Sequence, residues 1–156
     1  MSQFAVLSGY IQQKAQELEQ EYSYAMAQAQ QAETTNIDAY WIAAGFGLQG
    51  FYTGLEKIFE QVARRVDGSS VQHSERWHQE LLDQMQLEVP GVRPPVIAHD
   101  TYKILKAVLA FRHVVRNNYT HALEPSLIAQ NIEMLPLAYE QVLKDLKAFQ
   151  GFLESS

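Results

Sequence analysis

Apolar residues recur at three- and four-residue steps along most of this chain, and nowhere do they alternate with polar ones over the length of a strand. A period near 3.6 lays one apolar stripe along a helix, whereas a half-buried strand needs a period of two. A chain patterned this way can bury its stripes only by packing helix on helix. The first stripe, through Phe4, Leu7, Ile11, Leu18, Tyr22, Ala25, Ala29 and Ala32, predicts a long N-terminal helix over residues 1–33. Its other faces hold eight glutamines before Thr34, the composition of a solvated helix face.

Thr34-Thr-Asn-Ile-Asp supplies turn and N-cap residues, so a second helix is expected to start near Asn36 or Asp38 and to stop near Asp67-Gly68. Ser74-Glu75 is expected to open a shorter helix carrying Trp77, Leu81, Leu82 and Met85. Val89-Pro-Gly-Val-Arg-Pro-Pro must be a loop, because proline lacks the amide hydrogen and fixes φ. His99-Asp100-Thr101 caps a further helix through Leu105, Val108, Leu109 and Val115. Pro125 suits a first helical position, and a final helix runs from there to Leu153, with a kink or break expected at Pro136. The expected fold is all-α: an antiparallel bundle of four principal helices plus a short one, forming a single domain over residues 1–156.

Composition narrows the function. There is no cysteine, so disulfides, thiolate nucleophiles and cysteine zinc sites are excluded. The N-terminus has no basic segment followed by an apolar one, and no run approaches the ~18 apolar residues of a membrane span. A cytoplasmic protein with no membrane partner is expected. The net charge of −6 argues against unselective coating of nucleic acid. Charge is nevertheless uneven. Between Asp100 and Glu124 there is no acid, while Lys103, Lys106, Arg112 and Arg116 are basic and His113 and His121 join them. The rest of the chain holds eight basic against eighteen acidic residues, so this helix is a local anion site on an acidic body.

Two motifs fail on context. Gly45-Phe-Gly47-Leu-Gln-Gly50 spells a dinucleotide fingerprint, but no strand precedes it, and that site needs a βαβ unit. Gly50 and Gly54 are better explained as a notch for another helix or a second subunit. Glu75-Arg-Trp-His78 is half of a di-iron pattern, and no other glutamate has a histidine three residues on. His73, His78 and His99 are therefore expected to be surface or capping residues, and no metal or other cofactor is expected.

The remaining constellation is Arg112-His-Val-Val-Arg116-Asn-Asn-Tyr-Thr-His121. A guanidinium can clamp the non-bridging oxygens of a phosphodiester and offset the charge that builds on phosphorus. An imidazole can move the proton of a 2′-hydroxyl or of the leaving oxygen near neutral pH. No metal is needed when the nucleophile is RNA's own 2′-hydroxyl. The expected catalytic set is Arg116, His121 and Asn117, with Arg112, His113 and Lys106 binding RNA phosphate.

Arg116-Asn117-x-x-x-His121, late in a long helix of a compact bundle, resembles the signature of the HEPN superfamily, in which a polar residue directly follows the arginine. Gly54-Leu-Glu-Lys-Ile-Phe, Trp77-His-x-x-Leu-Leu-x-x-Met85, Pro90-Gly-Val-Arg-Pro94 and Phe111-Arg-His-Val-Val-Arg116 are similar to segments of HepT-like ribonuclease toxins, and the resemblance spans residues 36–153. It implies a metal-independent endoribonuclease of a toxin–antitoxin system whose arginine and histidine converge across a homodimer, with a nucleotidyltransferase-type antitoxin as partner. The alternative is a non-catalytic HEPN module that docks such a nucleotidyltransferase. HepT toxins carry a tyrosine two residues after the histidine, where a partner modifies it. Here that position is Leu123, and Tyr119 precedes His121, so this means of neutralisation does not transfer. A dimer is expected for a second reason: one protomer is expected to offer a single imidazole, and in-line attack needs both a base and an acid.

Overall fold

The computed structural model describes residues 2–117 and 122–156, with the side chain of Arg116 excepted. The described residues form six helices: α1 (Ala5–Thr35), α2 (Ala39–Arg65), α3 (Trp77–Met85), α4 (His99–Asn117), α5 (Pro125–Ile132) and α6 (Leu135–Glu154). No strand occurs among them; Val89 and Arg93 form one isolated bridge within the proline-rich loop. The expected all-helical bundle is what the chain forms.

The joints follow from local chemistry. Asn36 caps α1 in the left-handed region at φ 58°, a conformation asparagine tolerates, and its amide donates to the Ala32 carbonyl. Glu124 is the extended N-cap of α5 and Pro125 its first residue, as the sequence predicts. The final helix is broken rather than bent. Pro136 cannot donate to the carbonyl four residues back, on Ile132, and Ile132 is where α5 ends before α6 resumes at Leu135. The third helix starts at Trp77, later than Ser74-Glu75 would place it, after a turn in which the Trp77 amide bonds the Ser74 carbonyl.

Directions can be traced from contacts. Cβ atoms placed on Gly47, Gly50 and Gly54 of α2 would meet Ala25, Glu21 and Leu18 of α1, so the two long helices run antiparallel at close range. The glycine notch is therefore filled by α1 of the same chain, which corrects the option of a second subunit there. Gly47 decides the spacing. A Cβ there would lie 2.8 Å from the Ala25 Cβ and 3.0 Å from its Cα, so only glycine lets the backbones approach this closely. α6 returns along α1, with Gln150 bonding the Ser8 carbonyl at 3.2 Å and Tyr139 stacked on Tyr22 with centroids 4.1 Å apart. α4 runs against α6 through Ala98–Asp145 and Thr101–Gln141. One continuous set of buried apolar residues, from Leu7 and Ile11 to Phe149 and Leu153, draws on every helix.

The two longer connections are held by one side chain. Arg93, fully shielded from solvent, forks onto Asp67 beyond the end of α2, with Nε–Oδ1 2.6 Å and Nη2–Oδ2 2.8 Å. It also donates to the carbonyls of Leu87, Pro94 and Gln84. Gly91 at φ +73° lets the loop turn tightly enough to bring Arg93 back under itself. No helix of the described residues is long and apolar enough to cross a membrane.

Candidate functional site

The C-terminal half of α4 meets the start of α3 and the middle of α2, and here polar residues interrupt three apolar stripes. On α4, Arg112 lies four residues after Val108 and three before Val115, which are both buried. On α2, Glu56 falls between Tyr52 and Phe59 at the same spacing, and on α3 His78 precedes Leu81, Leu82 and Met85. Register forces these three side chains inward together.

They form one network. The Glu56 carboxylate, 4% exposed, takes His78 Nδ1 on Oε2 at 2.6 Å and Arg112 Nη1 on Oε1 at 3.4 Å. Arg112 Nη1 and His78 Nδ1 are 3.3 Å apart. The Arg112 guanidinium lies over the Tyr52 ring at 5.4 Å, a cation–π approach. Burial pushes the Tyr52 phenol well above its ordinary range, the Glu56 charge adds to that, and Arg112 opposes it. Among the described residues the Tyr52 hydroxyl and Arg112 Nε have no hydrogen-bond partner.

Arg112 is thus not one of a row of exposed cations, as the acid-free stretch alone suggests. Only 5% exposed, it is partly neutralised by a glutamate from α2 that lies 56 residues away in sequence. Lys103, Lys106 and His113 remain on the solvent side of α4. Asn117 is exposed, donates to the His113 carbonyl at 2.8 Å and lies 3.2 Å from the His113 ring. Arg116 belongs to the last turn of α4. His121, with Asn118, Tyr119 and Thr120, lies outside the described residues, so the expected Arg116–His121 pair has no described geometry.

A cavity of about 190 Å³ opens between α3 and α4, lined by Glu75, His78, Leu109, Arg112, His113 and Asn117. An adjoining groove of about 320 Å³ adds Arg76, Gln79 and Lys106. Four of the expected site residues, Lys106, Arg112, His113 and Asn117, therefore border one continuous depression. His78 is the residue that sequence reasoning missed. Expected at the surface, it is half-buried, held by Glu56, and covered by Trp77, whose ring lies 3.8 Å away. His73 and His99 are exposed, as expected; His73 also stacks on Trp77, with centroids 3.9 Å apart. The signal for His78 was available in its position on the stripe of α3. The same cavity is lined by two described histidines, His78 and His113, so one protomer offers more than the single imidazole expected.

No group of three or more histidine, aspartate and glutamate side chains among the described residues is arranged to hold a metal ion. Residues 43–153 match the family described as HepT-like protein. The chain belongs to that family. The match takes in α3, α4 and the cavity between them, and begins inside α2, after α1. No curated protein matches the chain, and neither does any solved structure. The HepT-like helical bundle thus carries, at the cavity beside Asn117, an arginine, two imidazoles and a carboxamide, a set able to bind an anion and move protons.

Proposed function

We propose that this HepT-like protein is a metal-independent endoribonuclease that acts as the toxin of a toxin–antitoxin pair. The observation that supports it most is the cavity at the end of α4, lined by His78, Arg112, His113 and Asn117, in a chain of HepT-like descent. The substrate is RNA, because the 2′-hydroxyl brings the nucleophile with it. In the proposed reaction the 2′-oxygen forms a bond to phosphorus as the bond to the 5′-oxygen breaks. A base takes the 2′-hydroxyl proton and an acid protonates the leaving oxygen, giving a 2′,3′-cyclic phosphate and a 5′-hydroxyl. Arg116 stabilises the charge on the phosphoryl oxygens, His121 transfers a proton, and Asn117 holds the geometry of the motif. Lys106 and His113, exposed along the groove, draw in the neighbouring phosphates.

The test is cleavage of labelled RNAs by purified protein in EDTA. Cleavage to cyclic-phosphate ends is expected, falling by about 10²-fold or more in Arg116→Ala and His121→Ala with helix content intact. Undiminished cleavage by His121→Ala would remove His121 from the mechanism. RNA binding with no cleavage would instead leave a helical module that docks a nucleotidyltransferase.

A further inference from the structure

The acid-free stretch of α4 has a counterpart of opposite sign elsewhere in the bundle. Residues 15–56 and 122–143 contain no lysine, arginine or histidine, and every charged side chain in them is a carboxylate. The fold brings the two segments together, because α5 packs on both α1 and α2. Between them, where the chain breaks from α5 to α6, opens a groove of about 340 Å³ that shares no residue with the cavity beside α3. Its walls are largely apolar and include Met26, Trp41, Ile132 and Pro136. Glu33 and Glu133 also line it; both are exposed, and neither has an ion-pair partner among the described residues. Leu137, next to Pro136, and Ile37, four residues before Trp41, are exposed by half. Bulky apolar groups left in water beside an apolar groove mark a surface that gains by being covered. The α1 wall and Trp41 lie outside residues 43–153, so this surface does not come with the HepT-like match.

We infer that this groove is the docking site for a basic amphipathic helix of a partner protein. Charge decides the kind of partner. A surface whose only charges are carboxylates repels nucleic acid and anionic lipid, and it attracts lysine and arginine. The groove takes the apolar anchors of such a helix, with Met26 adapting to their shape and the Trp41 ring offering a face to a flanking cation. Glu33 and Glu133 meet the cations on either side of the anchors. A second copy of this chain does not fit. Its one strongly basic helix is α4, and among the described residues of α4 no large apolar side chain is exposed to serve as an anchor. The docking site is independent of RNA cleavage and stands whether or not the protein cuts RNA.

The probe is a fluorescein-labelled helical peptide of about 14 residues, leucine on one face and lysine on the other, titrated with the full chain and followed by anisotropy. Binding at roughly micromolar Kd is expected, and the same leucines with glutamate in place of lysine should not bind. Reversing both rim charges, Glu33→Lys with Glu133→Lys, should weaken binding by about tenfold or more. Leu137→Ser should weaken it several-fold without changing any charge. All three positions are exposed or half-exposed, so the fold survives. Glu80→Lys with Glu88→Lys makes the same change in net charge on exposed residues outside the groove, and it should leave Kd within about twofold. Equal weakening by that control pair would overturn the site, because attraction would then be diffuse. Failure of the lysine peptide to bind, or equal binding of the glutamate peptide, would overturn it too. So would sedimentation of the wild type as an assembly that Leu137→Ser dissolves, since the groove would then be covered by a second copy.

Discussion

Replacing Arg93 by methionine should be among the most damaging single changes in this protein, although the residue lies far in sequence from the proposed chemistry. Methionine keeps much of the volume and removes the charge. What it leaves behind sets the magnitude. The Asp67 carboxylate, 6% exposed, loses both bonds of the guanidinium fork and keeps only the Gln84 amide at 2.7 Å. The carbonyls of Leu87, Pro94 and Gln84 each lose a donor as well. Removing one member of a buried ion pair costs about 3–5 kcal/mol, mainly because the other charge is left unpaired. For a chain of this size each kcal/mol lowers Tm by about 2–4 °C, which gives a fall of roughly 6–20 °C. Urea and thermal unfolding followed by circular dichroism will measure it. Asp67→Asn in the Arg93→Met background should recover part of the loss, because no unpaired carboxylate remains. The loss should also be nearly the same at about 0.05 M and about 0.5 M salt, since a pair shielded from water is little screened. A cost below about 1 kcal/mol, or one that salt abolishes, would refute the claim that Arg93 locks the two loops.

Gly47→Ala should destabilise by about 1–3 kcal/mol despite a gain of up to about 1 kcal/mol in helix propensity, because its Cβ would meet Ala25 backbone atoms; urea midpoints will show it. Gly9→Ala, which meets nothing within 4 Å, should stabilise by up to about 1 kcal/mol in the same assay. Tyr52→Phe removes a buried hydroxyl without a partner and should be neutral or stabilising by about 1 kcal/mol at pH 7. Because burial raises the Tyr52 phenol above its ordinary value near 10, its proton favours the fold in full below pH ~10, and that contribution is lost as pH rises through the folded value. Tyr52→Phe should therefore lose less stability above pH ~10 than the wild type does, which unfolding at pH ~7 and ~11 will compare.

Much of the fold is legible in periodicity alone, and the parts that were not have physical causes. Pro136 announced the break between α5 and α6, since a missing amide hydrogen acts locally. Helix ends at Asn36 and Glu124 follow from residue types that suit those conformations. What the glycines of α2 pack against could not be read, because closeness depends on which helix returns beside them. Charge was misjudged at Arg112 for a similar reason: the acid-free stretch is acid-free only along the chain, and Glu56 arrives from another helix. Even so, Glu56, His78 and Arg112 all stand at stripe positions where an apolar residue is expected. Three polar residues on three buried stripes were a legible sign of a shared interior site.

The ring stack at the start of α3 makes that site optically self-reporting. Trp77 is in ring contact with both His73 and His78, with centroids 3.9 and 3.8 Å away, and is one of only two tryptophans in the chain. An excited indole passes an electron to a protonated imidazole in contact with it and goes dark, whereas a neutral ring leaves it bright. With Trp41 replaced by phenylalanine, the emission of this protein becomes a continuous readout of whether the imidazoles beside Trp77 hold a proton, with no dye attached and no substrate turned over.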